Sequence, residues 1–198
     1  ILKRGILMKV LKMGINVNWI TLIVGGTCLF SVSVNADTQN QTSQGQITFA
    51  PGALTLDQVP SFDFGTQNIS VQNQTYGATQ NSIVRITDLR GTAAGWNLTV
   101  KATELQTSSG KKLDGAQITL NNGSAINTSN TPPTVIDGVL TPNSAVQVLS
   151  APAGVGDGAT AASWIQGTGV TLDVPGSSSK TAEQYTAELT WTLTDAPA

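Results

Sequence analysis

The segment Tyr185-Thr186-Ala187-Glu188-Leu189-Thr190-Trp191-Thr192-Leu193-Thr194 decides the fold. Its apolar residues occupy every second position, from Tyr185 and Ala187 through Leu189, Trp191 and Leu193. Glu188, Thr190, Thr192 and Thr194 fill the places between. Side chains of a strand alternate between faces, so this pattern is a strand with one dry face and one wet face. A second stretch, Gly95-Trp96-Asn97-Leu98-Thr99-Val100, repeats the pattern. Trp96, Leu98 and Val100 share one face; Asn97, Thr99 and Lys101 share the other. A Trp among aliphatic residues of the same face ordinarily packs in a core, with its indole N–H on an acceptor. The other use of such a pair is a partly covered aromatic platform for a sugar ring or a protein partner.

Outward from these two stretches, short alternating or β-branched runs predict strands at 46–49, 53–56, 69–74, 82–89, 96–103, 117–120, 145–151, 170–174 and 185–194. Thr, Ser, Asn and Gln are abundant, Lys and Glu are sparse, and Gly and Pro recur between the runs, as in Pro51-Gly52 and Pro175-Gly176. This composition disfavours helices. The expected fold is all-β, an antiparallel β-sandwich of Ig-like or Greek-key type. Residues 121–142 and 154–169 read as long loops.

The N-terminus has a different composition. Lys3, Arg4, Lys9 and Lys12 form a basic start, an apolar run follows over 19–34, and Val34-Asn35-Ala36 places small residues around a cleavage point. These are the parts of a secretory signal peptide, cleaved after Ala36. The apolar run, interrupted by Gly25, Gly26 and Thr27, is short of the ~20 residues a spanning helix needs. The expected organisation is a signal peptide at 1–36, a polar leader at 37–45 and one domain at 46–198. Thr194-Asp195-Ala196-Pro197-Ala198 carries neither an apolar tail nor a sorting motif. The expected product is therefore secreted, with no membrane span after cleavage.

The whole chain has a formal net charge of −2, one Cys and no His. Residues 37–198 keep twelve carboxylates against six cationic side chains, a net charge of −6, and no Cys. That balance argues against nucleic acid as a partner. Without His there is no Ser-His-Asp triad, Cys-His pair or His-ligated metal, and the single Cys28 supplies no disulfide framework. Asp57 and Asp63 flank Val59-Pro60 with no supporting motif for a glycosidase pair. Asp157 lies among glycines without a calcium-binding repeat around it. No catalytic residue, cofactor or metal is expected. Asp88-Leu89-Arg90-Gly91 reads first as a turn, and second as a polar contact for a glycan or peptide stem.

The pair Trp96-Asn97-Leu98 and Trp191-Thr192-Leu193 resembles the proximal and distal signatures of the WxL domain, a cell-surface domain of low-GC Gram-positive bacteria. The resemblance extends through Ile47-Thr48-Phe49, Gly52-Ala53-Leu54-Thr55-Leu56, Val59-Pro60, Phe64-Gly65, Val84 and Asp88-Leu89-Arg90-Gly91, and ends on Tyr185, Leu189-Thr190-Trp191-Thr192-Leu193 and Pro197. It implies a small, single-domain member that attaches non-covalently to the cell wall through peptidoglycan. It also makes Trp96, Leu98, Trp191 and Leu193 the candidate wall-binding motif, unless they are core, with Asp88, Arg90 and Tyr185 as weaker candidates. The alternative is an assembly role beside larger surface proteins or other WxL-type proteins, with wall retention indirect.

Overall fold

A computed structural model describes residues 38–128 and 131–195. The expected signal peptide, its cleavage point, Cys28 and Pro197 lie outside the described residues. Residues 38–46, the described part of the first of two units, form no helix or strand and are exposed. The second unit begins at Ile47.

The strands of that unit are β1 (Leu54–Gln58), β2 (Gln74–Gly77), β3 (Ser82–Asp88), β4 (Trp96–Ala102), β5 (Gln117–Leu120), β6 (Ser124–Asn127), β7 (Thr134–Val135), β8 (Gly138–Leu140), β9 (Ala145–Ala151), β10 (Gly158–Trp164), β11 (Val170–Val174) and β12 (Leu189–Thr194). The fold is all-β and sandwich-like, with three four-stranded antiparallel sheets ordered β1-β3-β10-β6, β2-β11-β5-β8 and β12-β4-β9-β7. Alternation explains each strand's inner face. Val84 and Ile86 of β3, Trp96, Leu98 and Val100 of β4, Leu120 of β5, Ala162 and Trp164 of β10, and Val170 and Leu172 of β11 join one buried cluster.

The two Trp-x-Leu strands lie side by side. Among the described residues β12 pairs only with β4, in the register Leu189↔Ala102, Trp191↔Val100 and Leu193↔Leu98. On the other flank of β4, the pairing with β9 slips between Leu98 and Thr99. This bulge leaves both Val148 and Leu149 buried.

The structure differs from the expected strands in several places; the strand expected over 185–194 begins only at Leu189. Residues 46–49 form no strand, because no neighbouring strand offers them a ladder. The run at 69–74 is displaced: Ile69 and Val71 are exposed, and pairing begins at Gln74 opposite Val174. The supposed loop at 121–142 contains β6, β7 and β8, which are too short to show a period. The supposed loop at 154–169 contains β10, which pairs with both β3 and β6. Ala159, Ala161 and Ala162 hide that strand, since Ala has low strand propensity. Its position between two partner strands makes small side chains suitable there.

Candidate functional site

Directly opposed residues of two strands point to the same face. Trp96, Leu98 and Val100 therefore share their face with Leu189, Trp191 and Leu193, and that face is the inner one. Trp96 is 0% exposed. Its indole Nε1–H donates to the Gly156 carbonyl at 3.2 Å. Gly156 has φ +82°, and a Cβ there would stand 2.8 Å from the same Nε1, so only Gly lets this backbone reach the indole.

Trp191 is half-buried. The ring of Phe62 meets it edge to face, with centroids 6.3 Å apart and planes at 72°. Its Nε1 is buried and has no acceptor. The register sets the two indoles apart: Trp191 opposes Val100, four residues along β4 from Trp96, or about 13 Å at the rise of a strand. Two inward-facing rings at that spacing do not form a common platform.

The opposite face of the two strands carries their exposed side chains. Opposite the buried residues, the same register places Thr190 against Lys101, Thr192 against Thr99 and Thr194 against Asn97. The three β12 threonines and Lys101 are exposed; Asn97 and Thr99 are half-buried. Gln147 of β9 extends the row, donating from Nε2 to Asn97 Oδ1 at 2.7 Å. The result is a strip of hydroxyl and amide groups carrying one cation, Lys101. The alternating threonines were legible in the sequence as the wet face. Gln147 was not, because its place beside Asn97 depends on β9 being the neighbour of β4.

Asp88 and Arg90 form a bidentate ion pair: Nε donates to Oδ1 at 2.9 Å and Nη2 to Oδ2 at 2.8 Å. Nη2 also donates to the Gly95 carbonyl at 2.9 Å, and the Arg90 backbone N–H to Asp88 Oδ1 at 3.1 Å. The Asp88 side chain is 1% exposed and that of Arg90 17%. The pair fastens the end of β3 to the residue before Trp96. Hydrogen bonding from Arg90 holds the Asp88 carboxyl below the usual carboxylate range, against the opposing effect of burial. The same bond to Asp88 raises the Arg90 pKa, and the charges of Asp195 and Asp157 add to it.

Arg90 also borders a groove of about 590 Å³, walled by Leu54 and Leu56 of β1 and by Leu193, Thr194 and Asp195 at the end of β12. Tyr185 does not line it. The Tyr185 hydroxyl accepts from the Thr181 backbone N–H at 3.0 Å, closing the turn that precedes β12.

Among the described residues no cluster of three or more acidic, His or Cys side chains could hold a metal, and no helix is long and apolar enough to cross a membrane. No curated protein and no solved structure matches the chain. The family described as "WxL domain surface cell wall-binding" matches residues 34–197. The two strands that carry Trp96-Asn97-Leu98 and Trp191-Thr192-Leu193 are thus one paired unit of a chain that belongs to the WxL family of surface domains that bind the cell wall.

Proposed function

We propose that the chain is a secreted protein of a Gram-positive surface that holds to peptidoglycan non-covalently, without catalysis. The family match over 34–197 carries this reading. The contact surface in this proposal is the polar strip of Thr190, Thr192 and Thr194 beside Asn97, Thr99 and Lys101, not the indoles. Its hydroxyl and amide groups are donors and acceptors suited to the hydroxyls and acetamido groups of a neutral glycan. Trp96, Leu98, Trp191 and Leu193 act beneath it by holding the two strands in register.

Anionic wall polymers are a poorer fit. Arg90 is already neutralised by Asp88, and the exported chain is net acidic.

Thr192→Glu tests the surface. The side chain is exposed, so stability should stay within about 0.5 kcal/mol of the parent. The charge would stand in the middle of the strip, and binding to isolated cell walls should fall at least tenfold. Unchanged wall binding by a folded Thr192→Glu protein would place the contact elsewhere.

A further inference from the structure

Two observations outside the polar strip fit one another. The first is a segment with no partner. Ile47-Thr48-Phe49 alternates apolar and polar residues as a strand does, yet it pairs with no strand among the described residues. Ile47 is 75% exposed and Phe49 84%. Two large apolar side chains two positions apart point to the same side of an extended chain.

The second is a groove flanked by free strand edges. β1 ends one sheet and β12 ends another, so among the described residues each has one unpaired edge. The groove between them is mixed: Leu54 and Leu56 on one side and Leu193 on the other give it apolar patches, while Arg90, Thr194 and Asp195 give it polar groups. Its size lies within the range of binding pockets, roughly 300–1,000 Å³. An unpaired edge beside a cleft with apolar patches is a template for strand addition.

The segment does not reach its own groove. Gly52 N–H donates to the Leu89 carbonyl at 2.8 Å, and Leu89 N–H to the Ala53 carbonyl at 3.0 Å. The pairing of β1 with β3 therefore continues through Gly52.

We propose that the groove takes the Ile47-Thr48-Phe49 segment of a second copy of this chain. The incoming segment adds to the free edge of β12, with Ile47 and Phe49 against Leu54, Leu56 and Leu193. Each copy both donates a segment and offers a groove, so the contact closes into a reciprocal pair or propagates along the surface.

The test uses the purified chain with Cys28→Ser. Its mass by light scattering should at least double with rising concentration, and Phe49→Asp should hold it at the monomer mass with an unchanged melting temperature. Mixing Phe49→Cys and Thr194→Cys proteins under oxidation should give a disulfide-linked pair, whereas Ser177→Cys, exposed and away from the groove, should not replace Thr194→Cys. A parent that remains monomeric throughout, or a Phe49→Asp protein that associates like the parent, overturns the proposal. So does association in which Thr194→Cys links no better than Ser177→Cys. None of these readouts involves cell wall, so they stand apart from the test of wall binding.

Discussion

Trp96 and Trp191 belong to matching motifs but have different surroundings. Trp96 is enclosed and its N–H is bonded to Gly156; Trp191 keeps part of its surface in solvent and its N–H finds no acceptor. Trp96→Ala should cost about 3–5 kcal/mol, as for a large core aromatic, and Trp191→Ala should cost less. Urea unfolding of the two variants checks the order; equal losses would mean that Trp191 is as well packed as Trp96. At the same scale, Asp88 links stability to pH. Its carboxyl is held below its ordinary value in the folded chain, so the folded state favours the charged form. The resulting stabilisation is present above the unfolded pKa, about 4, and is lost as pH falls through the lower folded value. Asp88→Asn should cost about 1.5–3 kcal/mol at neutral pH, the range for hydrogen bonds to charged groups. It should also flatten the loss of stability below about pH 4. Melting temperatures from pH 7 to pH 2 read both effects, and parallel curves for parent and variant would contradict the account.

At the scale of elements, position within a sheet sets local stability. β4 has a partner on each side, whereas β12 has one. At concentrations low enough to keep the chain monomeric, hydrogen exchange should be slowest at Leu98 and Val100 and at the central strands β3 and β10, and faster at the outward-facing amides of β12. Uniform protection along β12, equal to that of β4, would mean that its free edge is covered. The same contrast explains what the sequence made legible. β3, β4, β5, β9 and β11 were readable because β-branched or aromatic residues alternate within them. β10 was not, since its Ala-rich run gains strand character only from β3 and β6 on either side. Residues 46–49 looked like a strand and are not one, because alternation specifies a face but supplies no partner. For the site, the alternation named the wet face of each Trp-x-Leu strand. It could not show that the two wet faces adjoin, which rests on the pairing of β12 with β4.

At the scale of the whole molecule, charge and family point the same way. The domain is acidic overall, and its polar strip carries Lys101 as a single cation among hydroxyls and amides. Attraction to anionic polymers would weaken as salt rises. Hydrogen bonding to a neutral glycan would not. The most direct measurement is co-sedimentation of the purified chain with isolated Gram-positive cell walls at low and at raised salt. The account predicts that the chain pellets with the walls at both, and is released by a denaturant because nothing covalent holds it. A chain that stays in the supernatant at either salt concentration would contradict it.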